Sequence, residues 1–470
     1  MKKRVRGVTV AMLAFATAGV GCGRANAPSA SAGLTDEQVE NLVRRSYQYV
    51  AMYNVTTKGA EKLGGWNRVY ADTQLKDDTT REIARPNNDT LYITCSLDLR
   101  KDPVILEIPV FGSDYTSLMV TAYDHYVNIP LATRNGDFQR PEKMLFYSAR
   151  TEGYHGEAVD GVDRVFEATG DFVSAIFRIM PHAGEPQRFK EIVERMKEVR
   201  LRTLSEYRGG QAKPAGDVQF PPVGATDADV FGTNLPEVMQ FVFDHTTFDP
   251  NDAIDQGVLA AWKPLGVEPG KARDPEAAEA LDGARVRQVA ERVARTELAR
   301  AGEAGFLKDN AQRLFLPKGS MSLDMLVFQS VFGPIGMPAS EAVYPAITTT
   351  DGAPMNARND YVIRMTRDEM PPATVFWSVT LYDLKNGFFI PNDRKKYSVG
   401  LNGGMKLDKD GGIAIHIAAQ KPRGVPEENW LPIERKDEDI DAVMRLYVPD
   451  LERFETWTPP RAEKVAGGSK

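Results

Sequence analysis

Cysteine is almost absent: the 470-residue chain has two, Cys22 and Cys95. A disulfide framework is therefore excluded as the main source of stability, and the fold has to rest on a sizeable core. Histidine is nearly as scarce. His125, His155, His182, His245 and His416 form no H-E-x-x-H element and no close pair, so a local histidine-rich zinc motif is missing. Also missing are a G-x-G-x-x-G turn, a Walker loop and a G-x-S-x-G elbow. These are the sequence signatures of dinucleotide binding, P-loop phosphate binding and α/β-hydrolase chemistry. Positive charge is in deficit, with 58 Lys and Arg against 65 Asp and Glu. Beyond residues 1–22 no large basic cluster occurs, only the short run Arg394-Lys395-Lys396. Nucleic acid and anionic lipid surfaces are accordingly not expected partners.

What is present begins with an export signal. Lys2, Lys3, Arg4 and Arg6 precede an apolar stretch over residues 8–20, the pattern of a signal peptide and too short for a comfortable spanning helix. Gly19-Val20-Gly21-Cys22 is lipobox-like, which makes Cys22 the expected lipidation site, although Gly19 stands where Leu is usual. The competing cleavage site is Ala25-Asn26-Ala27, followed by Pro28. Either way the expected location is the bacterial cell envelope. Lipid-anchored is the first reading and periplasmic or secreted the second, with any membrane contact through the lipid anchor only. Removing the four leader bases makes the mature chain about eleven negative. Cys95 then remains as a single thiol, expected to be a small buried hydrophobe.

The patterning predicts five segments: leader 1–22, flexible tether 23–34, an N-terminal β-rich domain with a leading helix over 35–208, a linker and helical region over 209–335, and a C-terminal β-sandwich-like domain over 336–470. Thr35 and Gln38 form a capping box, with a Leu34–Val39 staple, at the head of a helix over 35–63. Strands are expected at 104–109, 115–120, 143–148, 164–167, 360–366, 374–383, 413–418 and 444–448, and a helix over 187–207. Residues 171–180 fit either class. Gly-containing turns such as Asn386-Gly387 and Asp410-Gly411-Gly412, with short spacing between strands, favour antiparallel sheets over a doubly wound parallel domain. The fold class is α+β: two antiparallel, sandwich-like modules with an intervening helical region.

One phrase recurs. Asn88-Asp89-Thr90-Leu91-Tyr92-Ile93 is followed by a run ending Tyr123-Asp124, and Asn359-Asp360-Tyr361-Val362-Ile363 by a run ending Tyr382-Asp383. The repetition predicts two related β units with polar groups at equivalent strand ends. Only the first copy carries a histidine next, His125, so chemistry is expected there.

Beyond these patterns, the chain resembles a pair of bacterial domain families of uncharacterised function, DUF1254 and DUF1214. The first resemblance rests on Arg85-Pro86-Asn87-Asn88-Asp89-Thr90-Leu91-Tyr92, Leu97-Asp98-Leu99, Pro103-Val104 and Ala122-Tyr123-Asp124. The second, more specific, rests on Phe376-Trp377-Ser378-Val379-Thr380-Leu381-Tyr382-Asp383, Tyr397-Ser398-Val399-Gly400, Asn429-Trp430-Leu431-Pro432, Arg445-Leu446-Tyr447 and Trp457-Thr458-Pro459-Pro460. The resemblance implies secreted or envelope-associated proteins with a β-sandwich-like module in each half. It carries over no reaction.

The residues themselves give three functional readings. The first is an envelope-associated protein that binds a small organic ligand, with enzymatic activity of unassigned class left open. His125, Asp124 and Asp89 are its candidate acid–base groups. Asn88, Tyr92, Tyr123, Tyr382, Arg394 and Trp430 are its candidate ligand contacts, with Arg394 able to clamp a carboxylate. This reading expects a deep pocket containing Asp124 or His125. The second is a non-catalytic structural or interaction lipoprotein. The third is a divalent-metal-dependent hydrolase using Asp89 and Asp124. Ser378, flanked by Trp377 and Val379, is expected in sheet packing or a cross-strand hydrogen bond.

Overall fold

The computed structural model describes residues 33–81, 85–278, 281–301, 303 and 305–465. The expected leader, Cys22 and the tether up to residue 32 lie outside these residues. Helix α1 (Asp36–Lys62) starts at the predicted capping box: Gln38 N–H donates to Thr35 Oγ1 and Thr35 N–H to Gln38 Oε1. Its apolar positions Val39, Leu42, Val43, Tyr47, Val50 and Tyr53 are all buried. Each such burial contributes about 1.5–3 kcal/mol.

The N-terminal sandwich follows: β1 (Arg68–Asp72), β2 (Leu91–Asp98), β3 (Val104–Ile108), β4 (Thr116–Thr121), β5 (Ile129–Ala132), β6 (Glu142–Ser148), β7 (Arg164–Ala168), β8 (Phe172–Ile179), α2 (Pro186–Met196) and β9 (Arg200–Thr203). One sheet has the order β1-β2-β8-β4-β5, the other β7-β6-β3-β9. Between them lie Leu91, Ile93, Cys95, Leu118, Val120, Phe146, Val173, Ala175 and Phe177. The ambiguous run is β8. It is apolar throughout because it is a central strand with both faces covered, and all eight of its residues are buried. The long helix expected over 187–207 is instead α2, β9 and a single turn, α3 (Leu204–Tyr207). Residues 200–203 leave the helix to pair with the edge of β3.

A helical layer comes next: α4 (Asp227–Thr233), α5 (Leu235–Asp244), α6 (Ala253–Trp262), α7 (Pro275–Ala278), α8 (Gly283–Ala301), α9 (Phe306–Asn310) and α10 (Leu323–Phe332). The core of this layer is shared with α1 and includes Trp262, whose indole N–H donates to Ser46 Oγ at 2.9 Å. Tyr123 and Phe172 enter the same core from the N-terminal sandwich, and Met119, Tyr126 and Val127 meet α10. The layer therefore covers one end of the outer face of the β1-β2-β8-β4-β5 sheet. Among the described residues no helix is long and apolar enough to cross a membrane.

The C-terminal sandwich comprises β10 (Ala342–Val343), β11 (Ala346–Ile347), β12 (Met355–Asn356), β13 (Tyr361–Met365), β14 (Ala373–Asp383), β15 (Ser398–Gly400), β16 (Ile413–Ala418), β17 (Trp430–Pro432), β18 (Asp439–Pro449), α11 (Leu451–Thr456) and β19 (Ala462–Lys464). Its sheets have the orders β10-β18-β14-β15, with β11 and β12 also on β18, and β17-β16-β13-β19.

The two sandwiches share one topology. β2, β8, β4 and β5 correspond to β10–β12, β18, β14 and β15; β7, β6, β3 and β9 correspond to β17, β16, β13 and β19. Even the exceptions to antiparallel pairing coincide, since β6–β7 and β16–β17 are both parallel. In each module a helix follows the long central strand, α2 after β8 and α11 after β18. The expectation of related β units is thus met at the level of topology, but the phrase that prompted it does not mark equivalent positions. Asn88-Asp89 precedes β2, whereas Asn359-Asp360 precedes β13, the partner of β3. The cross-strand registers also place the two Tyr-Asp pairs two residues apart: Val120 matches Leu381, since each lies opposite an alanine, Ala175 and Ala442.

Candidate active seam between the sandwiches

Strand alternation decides which side chains leave each core. On β8, Phe177 and Ile179 point inward, so Arg178 points out; on β18, Met444 and Leu446 point inward, so Arg445 points out. Arg178 is flanked across the sheet by Tyr92 on β2 and Ser117 on β4. Arg445 is flanked by Ser378 on β14. On its other side, the register through Ala342–Tyr447, Val343–Leu446 and Ala346–Val443 sets Tyr344 opposite it. The duplicated element is therefore a Tyr–Arg–Ser triplet, once as Tyr92–Arg178–Ser117 and once as Tyr344–Arg445–Ser378. The correspondence extends upstream: Asp89 stands three residues before Tyr92, and Glu341 three residues before Tyr344.

The two triplets face one another. Tyr115 meets its own counterpart Phe376 at 5.9 Å and Tyr447 at 5.3 Å, while Phe376 and Tyr447 stack at 4.0 Å. Each acid crosses to the opposite module. Asp89 accepts from Ser378 Oγ at 2.6 Å, and Glu341 accepts from Arg134 Nε. The receiving loops also correspond, for Arg134 follows β5 while Asn402, which donates to Asp89 O at 3.0 Å, follows β15. Gly136 and Gly404 end these loops at φ +86° and +75°, the left-handed region that favours glycine.

The two arginines differ in one respect. Arg445 is satisfied by the protein: Nη1 donates to Thr380 Oγ1 (3.0 Å), and Nη2 to Tyr382 Oη (2.6 Å) and Arg85 O (3.2 Å). Burial works against its charge, but Tyr382, Asp89 and Tyr447 outweigh burial and hold its pKa above the ordinary arginine value. Burial pushes the Asp89 carboxyl up, partly offset by Arg445 and the Ser378 and Tyr447 hydroxyls. At Arg178 the positions matching Thr380 and Tyr382 are Met119 and Thr121. Met119 packs toward α10, and Thr121 donates to Ala122 O. Arg178 keeps a 3.4 Å bond from Nη2 to Ile335 O and lies 5.8 Å over the Tyr92 ring. Its Nη1 has no partner although the residue is 5% exposed. Asp89 acts on Arg445 through space, without an ion pair, and no acidic neighbour acts so on Arg178; among the described residues no carboxylate lies within 4.0 Å of either arginine. Burial opposes its charge too, but the surrounding phenols of Tyr92, Tyr344 and Tyr115 outweigh burial and hold its pKa above the ordinary arginine value, as at Arg445. Tyr344 lies at the edge of the seam. Its residue surface is 44% exposed, yet its hydroxyl sits deep enough for burial to raise its pKa.

Of the residues singled out in the sequence, the seam gathers Asp89, Tyr92 and Tyr382, with Asn88 alongside, where its Oδ1 accepts from Ser398 Oγ at 3.2 Å. Tyr382 Oη donates to Pro86 O at 2.7 Å. The others lie elsewhere. His125 is wholly buried, with Nε2 bonded to Pro334 O (2.8 Å) and Nδ1 to Ser330 Oγ (2.9 Å). A carbonyl can only accept, so Nε2 carries the proton and both nitrogens are committed. The ring pins the β4–β5 connection to α10 and is not placed for acid–base work. Asp124, also wholly buried, accepts from Thr169 Oγ1 (2.9 Å) and pairs with Lys318 (3.2 Å), which in turn pairs with Asp255 (2.8 Å). The deep pocket expected around Asp124 and His125 is replaced by packed core. A water-sized void of about 10 Å³ near Tyr126 and Thr169 has neither residue in its lining.

Asp89 and Asp124 face different partners, so they form no common metal site. Among the described residues no group of three or more His, Cys, Asp or Glu could hold a metal ion. Tyr123 packs among Tyr53, Phe172 and Phe241. Arg394 is 62% exposed and 6.0 Å from the Trp430 ring, whose indole N–H donates to Ala418 O at 2.8 Å. Neither reaches the seam. His245 bonds Asp171 Oδ2 through Nδ1 at 2.8 Å, tying α5 to the first sandwich.

Sequence reasoning missed Arg178, Tyr344, Glu341 and Tyr115, and read Ser378 as sheet packing or a cross-strand hydrogen bond; its hydroxyl instead bonds Asp89 of the other module. A findable signal was Ala175-x-x-Arg178 against Ala442-x-x-Arg445, each followed by an aliphatic residue.

No curated protein matches the chain. A crystal structure of the VPA0106 protein from Vibrio parahaemolyticus is similar in fold, with a TM-score of 0.70 and 24% identity over 91% of this chain and 100% of that one. A looser likeness, TM-score 0.41 and 12% identity over 91% of this chain and 93% of the other, is to an uncharacterized protein from Burkholderia cenocepacia. The family models that match are both described as protein of unknown function: DUF1254 over residues 66–203 and DUF1214 over residues 341–451. The first sandwich is thus a DUF1254 domain and the second a DUF1214 domain, and the chain belongs to the proteins that carry this pair.

Proposed function

We propose that this is an exported, envelope-associated protein that binds a small organic anion in the seam between its two sandwiches, with Arg178 as the anchoring group. The basic start and apolar stretch of the leader support export. The observation that carries the binding reading is the unpartnered, buried Nη1 of Arg178. An isolated charge out of water costs several kcal/mol, and the duplicated position shows how the protein satisfies such a charge when no ligand is needed. Arg445 has Thr380 and Tyr382; Arg178 has Met119 and Thr121 at those positions, beside the part-exposed Tyr344.

Titration calorimetry with propionate, L-lactate and benzoate at constant ionic strength tests this. Saturable binding is expected, weakened at least about 30-fold in Arg178→Met and unchanged in Arg394→Met. Absence of saturable binding by all three anions, or equal binding by Arg178→Met, contradicts the proposal.

A further inference from the structure

The seam holds a second unpartnered buried atom. Glu341 is 4% exposed at its side chain; Oε1 pairs with Arg134, and Oε2 has no hydrogen-bond partner. Burial raises the pKa of Glu341, partly offset by Arg134 and by the neighbouring Tyr115 hydroxyl, which donates to Ser117 Oγ at 3.1 Å, the serine opposite Arg178. Tyr115 feels both charged groups, Glu341 and Arg178. An orphan cationic donor and an orphan carboxylate acceptor therefore flank one phenol. A group that fits both presents an anionic acceptor to Arg178 and a hydrogen-bond donor to Glu341 Oε2. A bare carboxylate satisfies the first and leaves the second facing like charge.

Charge balance selects the donor. Glu341 already has Arg134, and Asp89 has Arg445. Among the described residues the seam is left with one uncompensated positive charge, on Arg178. A monoanion with a neutral hydroxyl closes that balance, whereas a zwitterion brings no net charge. Resting on the anion-binding reading above, we infer that the ligand class is a small hydroxy carboxylic acid: its carboxylate sits on Arg178 and its hydroxyl donates to Glu341.

The test uses two matched sets on the full exported chain: L-lactate, propionate and L-alanine, then 3-hydroxybutyrate, butyrate and 3-aminobutyrate. In at least one set the hydroxy acid is expected to bind about tenfold or more tighter than its deoxy analogue, the scale of one hydrogen bond to a charged group. In Glu341→Gln that preference is expected to shrink to within about threefold, while the deoxy acid keeps its affinity. Equal binding of hydroxy and deoxy acids, or a preference that survives Glu341→Gln, overturns the assignment while leaving the anion site intact. Tighter binding of the amino acid overturns it in favour of a zwitterion. Failure of every carboxylate to bind overturns the anion site itself. Should Glu341→Gln not fold, the wild-type comparison within each set decides.

Discussion

Replacing Arg445 with methionine destabilises the protein by about 3–5 kcal/mol, whereas the same change at its twin Arg178 is neutral or stabilising by about 1–4 kcal/mol. The two residues occupy the same position in duplicated sheets, are nearly equally buried and carry the same charge. They differ only in partners. Removing Arg445 takes the neighbouring positive charge from Asp89, which is about 1% exposed and is left with the neutral Ser378 and Tyr447 hydroxyls. It also frees Thr380 and Tyr382. Removing Arg178 relieves a charge that the protein leaves unpaired. Denaturant unfolding of the two variants measures the contrast. The double variant Asp89→Asn/Arg445→Met is expected to lose less than the sum of its single changes, because the two sites are coupled. Equal losses at Arg178 and Arg445 would show that both arginines are structural.

The second large effect is a loss of stability in mild acid, traceable to His125. Burial lowers its pKa from 6.5 to about 4, with the bond to Pro334 O opposing the shift. Between those two values the unfolded chain binds a proton that the native chain excludes. Stability from this group is therefore present above pH 6.5 and is lost as pH falls toward 4. A shift of that size corresponds to about 3 kcal/mol. His125 sits at φ +65°, a region asparagine tolerates, so His125→Asn is the conservative comparison. Wild type is expected to lose about 3 kcal/mol more than the variant between pH 7 and pH 4. Parallel pH profiles would show that the imidazole is not the titrating group.

Local physics was legible in the sequence. The Thr35–Gln38 box starts α1, and Lys143, Arg164, Tyr361, Thr374 and Ile413 fall within or beside strands where β patterning placed them. The two-module α+β plan was legible from turn spacing and from the DUF1254 and DUF1214 motifs. The seam was not, for a physical reason. A cross-strand pair such as Ser117–Arg178 joins residues far apart in sequence, and nothing local distinguishes a strand arginine that faces solvent from one that faces another module. Adjacent polar letters drew attention instead. Asp124 and His125 are neighbours in sequence, but one turns to Lys318 and the other to Pro334 and Ser330. The doubled phrase had the same weakness. Asn-Asp and Tyr-Asp recur as turn and strand-end residues, so they repeated without being equivalent, while the equivalent pair, Asp89 and Glu341, differed in type. Duplication was visible as resemblance, but the proposed site rests on the divergence, where Met119 stands at the position of Thr380.

The most direct test of the central claim is a crystal structure of the protein grown at pH 7 with 3-hydroxybutyrate. The account predicts density for the acid between the sandwiches, with a carboxylate oxygen about 3 Å from Arg178 Nη1. A map in which Arg178 Nη1 is instead bonded to a protein carboxylate, with the seam closed over it, would contradict the account.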